Sequence, residues 1–112
     1  MTIKLFKKAD STIRKVSDSY SIANFLTAED SSKMSIAVSV AINHSETTTI
    51  SSDRAYFVLE GEIVFNNSII GNVGDVVFIP ANEQYEQYSF TGTFKAVIVN
   101  LPPFKKSNEK TF

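Results

Sequence analysis

The chain has no cysteine and no tryptophan, one histidine, three prolines and four glycines among 112 residues. Without cysteine there are no disulfides and no thiolate ligands or nucleophiles, so packing and hydrogen bonds alone must hold the fold. That is compatible with a reducing compartment, and the cytoplasm is the expected location. A single imidazole is a poor start for a transition-metal centre. No apolar run approaches the roughly 20 residues of a membrane-spanning helix, and the opening MTIKLFKKAD has no signal-like stretch, so a membrane is not an expected partner. Charge of one sign is also missing. The net charge is −1, with six basic and five acidic residues in positions 1–50 and five basic and seven acidic in the remainder. Neither half offers the basic field that nucleic acid requires.

What is present is β-forming: nine Phe, four Tyr and many Val and Ile residues, types that suit pleated, half-buried surfaces. A chain of this length buries roughly two thirds of its unfolded surface, enough for one core. A single domain over 1–112 is therefore expected, with 1–16 as an arm or edge strands and 102–112 as a tail. Within the arm, 3–6 and 12–16 suit short edge strands. Residues 19–26 and 34–42 alternate as strands across the polar turn at 29–33. Residues 43–53, rich in Ser and Thr, suit a strand beside a pocket or a loop over its mouth. A further strand at 93–101 is stopped by Pro102-Pro103. The tail that follows is expected to be either disordered or docked on a partner subunit.

Residues 54–85 carry the most information. Gly61 and Gly74 punctuate apolar runs where a positive φ is called for. Asn66-Asn67 is a two-residue hairpin turn between 62–65 and 68–70. Pro80, which lacks an amide donor, should close its strand. Asn82 tolerates the left-handed region better than most side chains. The strings Val58-Leu59-Glu60-Gly61-Glu62 and Gly74-Asp75-Val76-Val77-Phe78-Ile79-Pro80-Ala81 resemble the two signature motifs of the cupin superfamily. That resemblance implies an all-β, cupin-type jelly roll, a double-stranded β-helix forming a small barrel. It also shows that the metal ligands are missing. Arg54 stands at the glutamate seat, and Thr48 and Ile50, or Thr47 and Thr49, stand at the two histidine seats of the first motif. Tyr85 stands at the histidine of the second motif and Ser89 at its asparagine. No metal and no cofactor are expected. The same strings are similar to the cupin of ethanolamine-utilization operons, a family associated with acetate kinase activity and microcompartment assembly. The acidic positions preceding its Val-Leu-Glu-Gly string are replaced here by Arg54-Ala55-Tyr56-Phe57, so that activity is not carried over.

If Arg54 faces inward, the strand period of two sends Tyr56 and Val58 inward and Ala55, Phe57 and Leu59 outward. The outward face is then too apolar to meet water and needs a cover, from the N-terminal strands or from a second subunit, and a homodimer is expected. The candidate ligand-binding residues are Arg54, Tyr56, Tyr85, Gln87 and His44. A buried guanidinium needs a counter-charge. Arg54 either receives a ligand carboxylate or phosphate, or pairs with a protein carboxylate such as Glu83 or Glu86, or reaches solvent at the barrel rim. Tyr85 either contacts a ligand, with acid–base activity if Arg54 lowers its pKa, or fills the space left by imidazole and metal. Gln87 shares the parity of Tyr85, whereas Gln84 and Tyr88 do not. His44, in a polar stretch, has the profile of an exposed loop residue. Three functional classes follow: a metal-free binder of a small polar or anionic metabolite such as a sugar or carboxylate; a metal-independent sugar isomerase or epimerase; and a dimerisation or assembly module without pocket chemistry.

Overall fold

A computed structural model describes residues 3–111, apart from the side chains of Phe90, Thr91 and Asn108. The strands are β1 (Thr12–Ser17), β2 (Tyr20–Leu26), β3 (Ser35–Ile50), β4 (Asp53–Glu60), β5 (Ile63–Phe65), β6 (Ile69–Gly71), β7 (Val76–Ile79), β8 (Tyr85–Leu101) and β9 (Glu109–Thr111). All pair antiparallel in one sheet of order β1-β2-β3-β8-β4-β7, with β5 joined to β8 and β6, and β9 joined to β3. The sheet curls into a nearly closed barrel, the cupin jelly roll. No α-helix occurs among the described residues, and no helix is long and apolar enough to cross a membrane.

The long strands β3 and β8 form the spine of the barrel, and the register between them slips between Ile42 and His44. Asn43 sits there at φ 48°, and on the opposite strand Gly92 takes φ 100°. Such a bulge adds a residue and reverses which parity faces inward. Before it, Ser39 and Ala41 are buried; after it, Thr48 and Ile50 are buried and His44 and Glu46 turn inward. On β8 the buried set changes likewise from Tyr85, Gln87 and Ser89 to Phe94, Ala96, Ile98 and Asn100. The polar stretch after residue 42 is thus not a loop. It continues β3, because Asn accepts the left-handed conformation that the bulge needs.

The turn chemistry follows the same rule. Asn66 and Asn67 take φ 51° and 59° in the β5–β6 hairpin, and Asn82 takes φ 66°. The Asn82 amide donates to the Ile50 carbonyl at 2.7 Å. β7 ends at Ile79, directly before Pro80. Two expectations change. Residues 3–6 form no strand, and the segment after Pro103 is not a free tail. It turns back so that β9 pairs with Thr48, Thr49 and Ile50 of its own chain, with the Thr48 hydroxyl donating to the Lys110 carbonyl at 3.1 Å. Phe112 lies outside the described residues.

Inside, Tyr56, Val58, Phe65, Ile79, Phe94, Ala96 and Ile98 form the core. The ring of Phe65 lies 5.3 Å from Tyr56 and 5.9 Å from Tyr85, tilted to both. Outside, cross-strand register aligns Ala23, Val38, Val97, Phe57 and Val76 in one row, and Ile36, Val99, Ala55 and Phe78 in the next. Phe57, Val76 and Phe78 are 44%, 60% and 61% exposed, an apolar face well beyond scattered surface residues.

Candidate functional site

Three strands aim polar groups into the barrel. β4 presents Arg54 and Tyr56, the first half of β8 presents Tyr85 and Gln87, and β3 beyond its bulge presents His44 and Glu46. Arg54 is only 5% exposed. Its Nε donates to Asn100 Oδ1 at 2.7 Å, and its Nη1 donates to the phenol oxygens of Tyr85 at 3.1 Å and Tyr56 at 3.3 Å. The two phenols are 2.8 Å apart, one donating to the other. Among the described residues Arg54 has no ion-pair partner, and Nη2 makes no hydrogen bond. Glu83 and Glu86, the protein carboxylates considered for it, are exposed instead.

Burial works against the Arg54 charge, but Tyr56 and Tyr85 outweigh it and the net pKa shift is upward; a guanidinium stays cationic in any case. Burial pushes the Tyr85 phenol well above its ordinary value of 10, Tyr56 adds to this, and Arg54 offsets only part. The lowered pKa that acid–base use of Tyr85 would require is therefore not found. Burial likewise raises Tyr20.

His44 is not an exposed loop residue. Its side chain is 14% exposed, and its ring stacks on Tyr20 at a centroid distance of 4.4 Å. Its Nδ1 lies 3.5 Å from Ser19 Oγ. Its Nε2 lies 3.4 Å from Glu46 Oε2, within ion-pair range but not aligned as a hydrogen bond, so the buried nitrogen has no hydrogen-bond partner. The other Glu46 oxygen accepts from Gln87 Nε2 at 2.5 Å.

Two cavities divide these groups. One of about 330 Å³ is lined by Arg14, Glu46, Arg54, Asn100, Phe104 and Glu109, among others. A deeper space of about 10 Å³, lined by Tyr20, His44, Tyr56 and Gln87, has room for a single water. Of the five candidates, Arg54 alone faces the large cavity. Tyr56, Gln87 and His44 border the small one, and Tyr85 borders neither. Tyr85 has the space-filling position, backing the guanidinium. The large cavity carries the cationic side chains Arg14, Arg54 and Lys106, and Lys15, whose ammonium pairs with Asp18 at 3.2 Å, against Glu46 and Glu109.

The cupin fold implies a divalent metal, and these residues do not fit one. The histidine seats hold buried Thr48 and Ile50, and the glutamate seat holds a cation bonded to the phenol at the remaining histidine seat. No three His, Asp or Glu side chains converge among the described residues.

The family model for ethanolamine utilisation protein EutQ matches residues 2–106. This chain belongs to the EutQ family. A EutQ protein from Salmonella typhimurium is 25% identical to it, superposing with a TM-score of 0.68 over 76% of this chain and 71% of that one. The fold also extends beyond EutQ. Streptomyces PAC13, solved with uridine, has a TM-score of 0.81 at 16% identity, covering 100% of this chain and 92% of its own. KdgF from Halomonas reaches 0.78 at 10% identity, covering 95% and 99%. Among curated proteins no sequence match is significant.

Beyond the original candidates, the site of this EutQ-family member includes Asn100, Arg14 and Phe104. Asn100 was detectable as an isolated amide inside the apolar run 97–101. Arg14 and Phe104 left no local signal, because only closure of the barrel brings β1 and the segment after Pro103 to one cavity.

Proposed function

We propose that this EutQ-family protein is a metal-free cupin that binds a small anionic metabolite, a carboxylate or a phosphorylated sugar, in the 330 Å³ cavity, with Arg54 as its anion receptor. The observation that carries the reading is a 5%-exposed guanidinium lining that cavity with no carboxylate partner among the described residues. A buried cation without a counter-ion is costly, and a carboxylate or phosphate accepting from the free Nη2 removes that cost. The excess of cationic side chains around the cavity favours the same ligands. PAC13, described as a nucleoside dehydratase and solved with uridine, supports by analogy of fold the use of such a barrel for a small polar molecule. The test is thermal-shift screening of metal-stripped protein against carboxylic acids, sugar phosphates and neutral sugars. A ligand at about 100 times its Kd stabilises by about 2.7 kcal/mol, so an anionic hit should raise Tm by several degrees. No shift from any anion would defeat the reading.

A second reading, metal-independent proton transfer of the isomerase or epimerase kind, is favoured by one observation. Glu46 borders the large cavity, with one oxygen accepting from Gln87 and the other 3.4 Å from His44 Nε2 without a hydrogen bond. A carboxylate positioned in this way suits a general base. Incubating the best-binding sugar phosphate with the protein in D2O should then exchange carbon-bound hydrogen, and Glu46→Gln should stop the exchange. A bound sugar phosphate that acquires no deuterium would leave binding as the function.

We also propose that the protein acts as a cytoplasmic homodimer in which a second copy covers the outer face bearing Phe57, Val76 and Phe78. Residues 3–8 supply complementary chemistry, with exposed Ile3 and Leu5 between Lys4, Lys7 and Lys8. Exposed Glu60 ends β4 and exposed Asp75 directly precedes β7, the strands that carry Phe57, Val76 and Phe78. Light scattering should give twice the 12.4 kDa chain mass, and Phe57→Glu with Phe78→Glu should give the monomer. A wild-type monomer at micromolar concentration would contradict this.

A further inference from the structure

Phe104 follows Pro102-Pro103, and its amide donates to Ser35 Oγ at 2.8 Å, which pins the segment to the start of β3. The ring is thereby placed against two guanidiniums from distant strands. Arg14 Cζ, from β1, lies 5.2 Å from the ring centroid, and Arg54 Cζ, from β4, lies 5.9 Å from it. All three side chains line the same 330 Å³ cavity. Neither guanidinium has an ion-pair partner among the described residues. Arg54 is the buried end of the pair, and Arg14 is the half-buried end nearer solvent.

A guanidinium cannot discharge by losing a proton, so the two permanent cations repel across the cavity. The quadrupole of the shared ring stabilises each by about 0.5–2 kcal/mol but does not neutralise either. Glu46 and Glu109 line the cavity but pair with neither guanidinium, which leaves Nη2 of Arg54 and the fork of Arg14 to receive a carboxylate or a phosphate. Resting on the reading that Arg54 receives an anion, we infer that the site takes a molecule with two anionic groups on a short carbon skeleton, one group seated on Arg54 and the other on Arg14. With their Cζ atoms 5.2 and 5.9 Å from the Phe104 centroid, the two guanidiniums are at most about 11 Å apart, which keeps the skeleton short. A dicarboxylate and a phosphorylated carboxylic acid both meet this description.

The experiment is calorimetric titration of the full chain with acetate, inorganic phosphate, succinate and 3-phosphoglycerate. Wild type should bind succinate or 3-phosphoglycerate at least about tenfold more tightly than acetate or phosphate, and which of the two wins distinguishes the dicarboxylate from the phosphorylated acid. Arg14→Gln should erase that advantage, weakening succinate and 3-phosphoglycerate much more than acetate and phosphate. Arg14→Lys, which keeps the charge without the planar fork, should fall between, with circular dichroism confirming that both variants are folded. Equal affinity for acetate and succinate with no gain for 3-phosphoglycerate, or an advantage that survives Arg14→Gln, overturns the inference but leaves the Arg54 reading standing. Binding of acetate and phosphate that is indifferent to Arg54→Met overturns that reading and the inference with it, as does absence of binding by all four probes.

Discussion

Arg54→Met is expected to reduce binding of small anions at least about 30-fold, in line with the 2–5 kcal/mol lost when one partner of a buried charge pair is truncated. The folded apo protein should nonetheless stay within about 2 kcal/mol of wild type, because two effects oppose each other. Removing the guanidinium takes a donor from Asn100 Oδ1 and from the phenols of Tyr56 and Tyr85. Leaving such a group unsatisfied costs about 1–3 kcal/mol. Against this, methionine keeps the apolar stem and removes an unpaired buried charge whose desolvation is itself worth several kcal/mol. An arginine kept for structure alone should behave in the opposite way, with a large loss of stability and no selective loss of ligand. Urea denaturation beside calorimetry on the same two proteins separates the cases. Stability that collapses by more than about 4 kcal/mol would make Arg54 a structural residue.

Gly61→Ala is expected to destabilise the domain by at least about 3 kcal/mol, a drop in Tm of at least about 10 °C for a chain of this size. Gly61 has φ +78°, and a Cβ there would lie 2.5 Å from the Thr93 carbonyl oxygen and 3.2 Å from Phe94 Cα. The neighbours are backbone of β8, the spine of the barrel, and cannot swing away as a flexible side chain would. Gly74 supplies the control. It has φ +92° but nothing within 4 Å of a Cβ, so Gly74→Ala should cost only the strain of the left-handed backbone, about 1–2 kcal/mol. Thermal melts of the two variants should therefore differ clearly. If Gly61→Ala melted alongside Gly74→Ala, close approach of β4's end to β8 would not be what requires the glycine.

Much of the architecture was legible because it depends on local rules. The period of two placed Arg54, Tyr56 and Val58 inside and Phe57 outside; Asn66, Asn67 and Asn82 marked positive φ; Pro80 marked the end of β7. These features depend on backbone conformation and alternation, which a short stretch of sequence carries by itself. His44 was left open for a reason of the same kind. Its polar neighbours suit either a strand beside a pocket or a loop over its mouth, and nothing local showed that Asn43 and Gly92 would face each other across a bulge, turn the parity of both long strands and exclude the exposed-loop alternative.

The sequence by itself determined that this is an all-β cupin barrel without the imidazoles and carboxylate of a metal centre, with a cation at one ligand seat and a phenol at another. Tertiary structure decided which of these groups meets solvent. It set Tyr85 behind Arg54 rather than in the cavity and turned His44 toward Glu46. It returned β9 to its own barrel and brought Arg14 and Phe104 to Arg54 from opposite ends of the chain. The physical reason is contact range. Strand parity and turn conformation are settled between near neighbours, whereas a pocket is made by side chains that only closure of the sheet brings together.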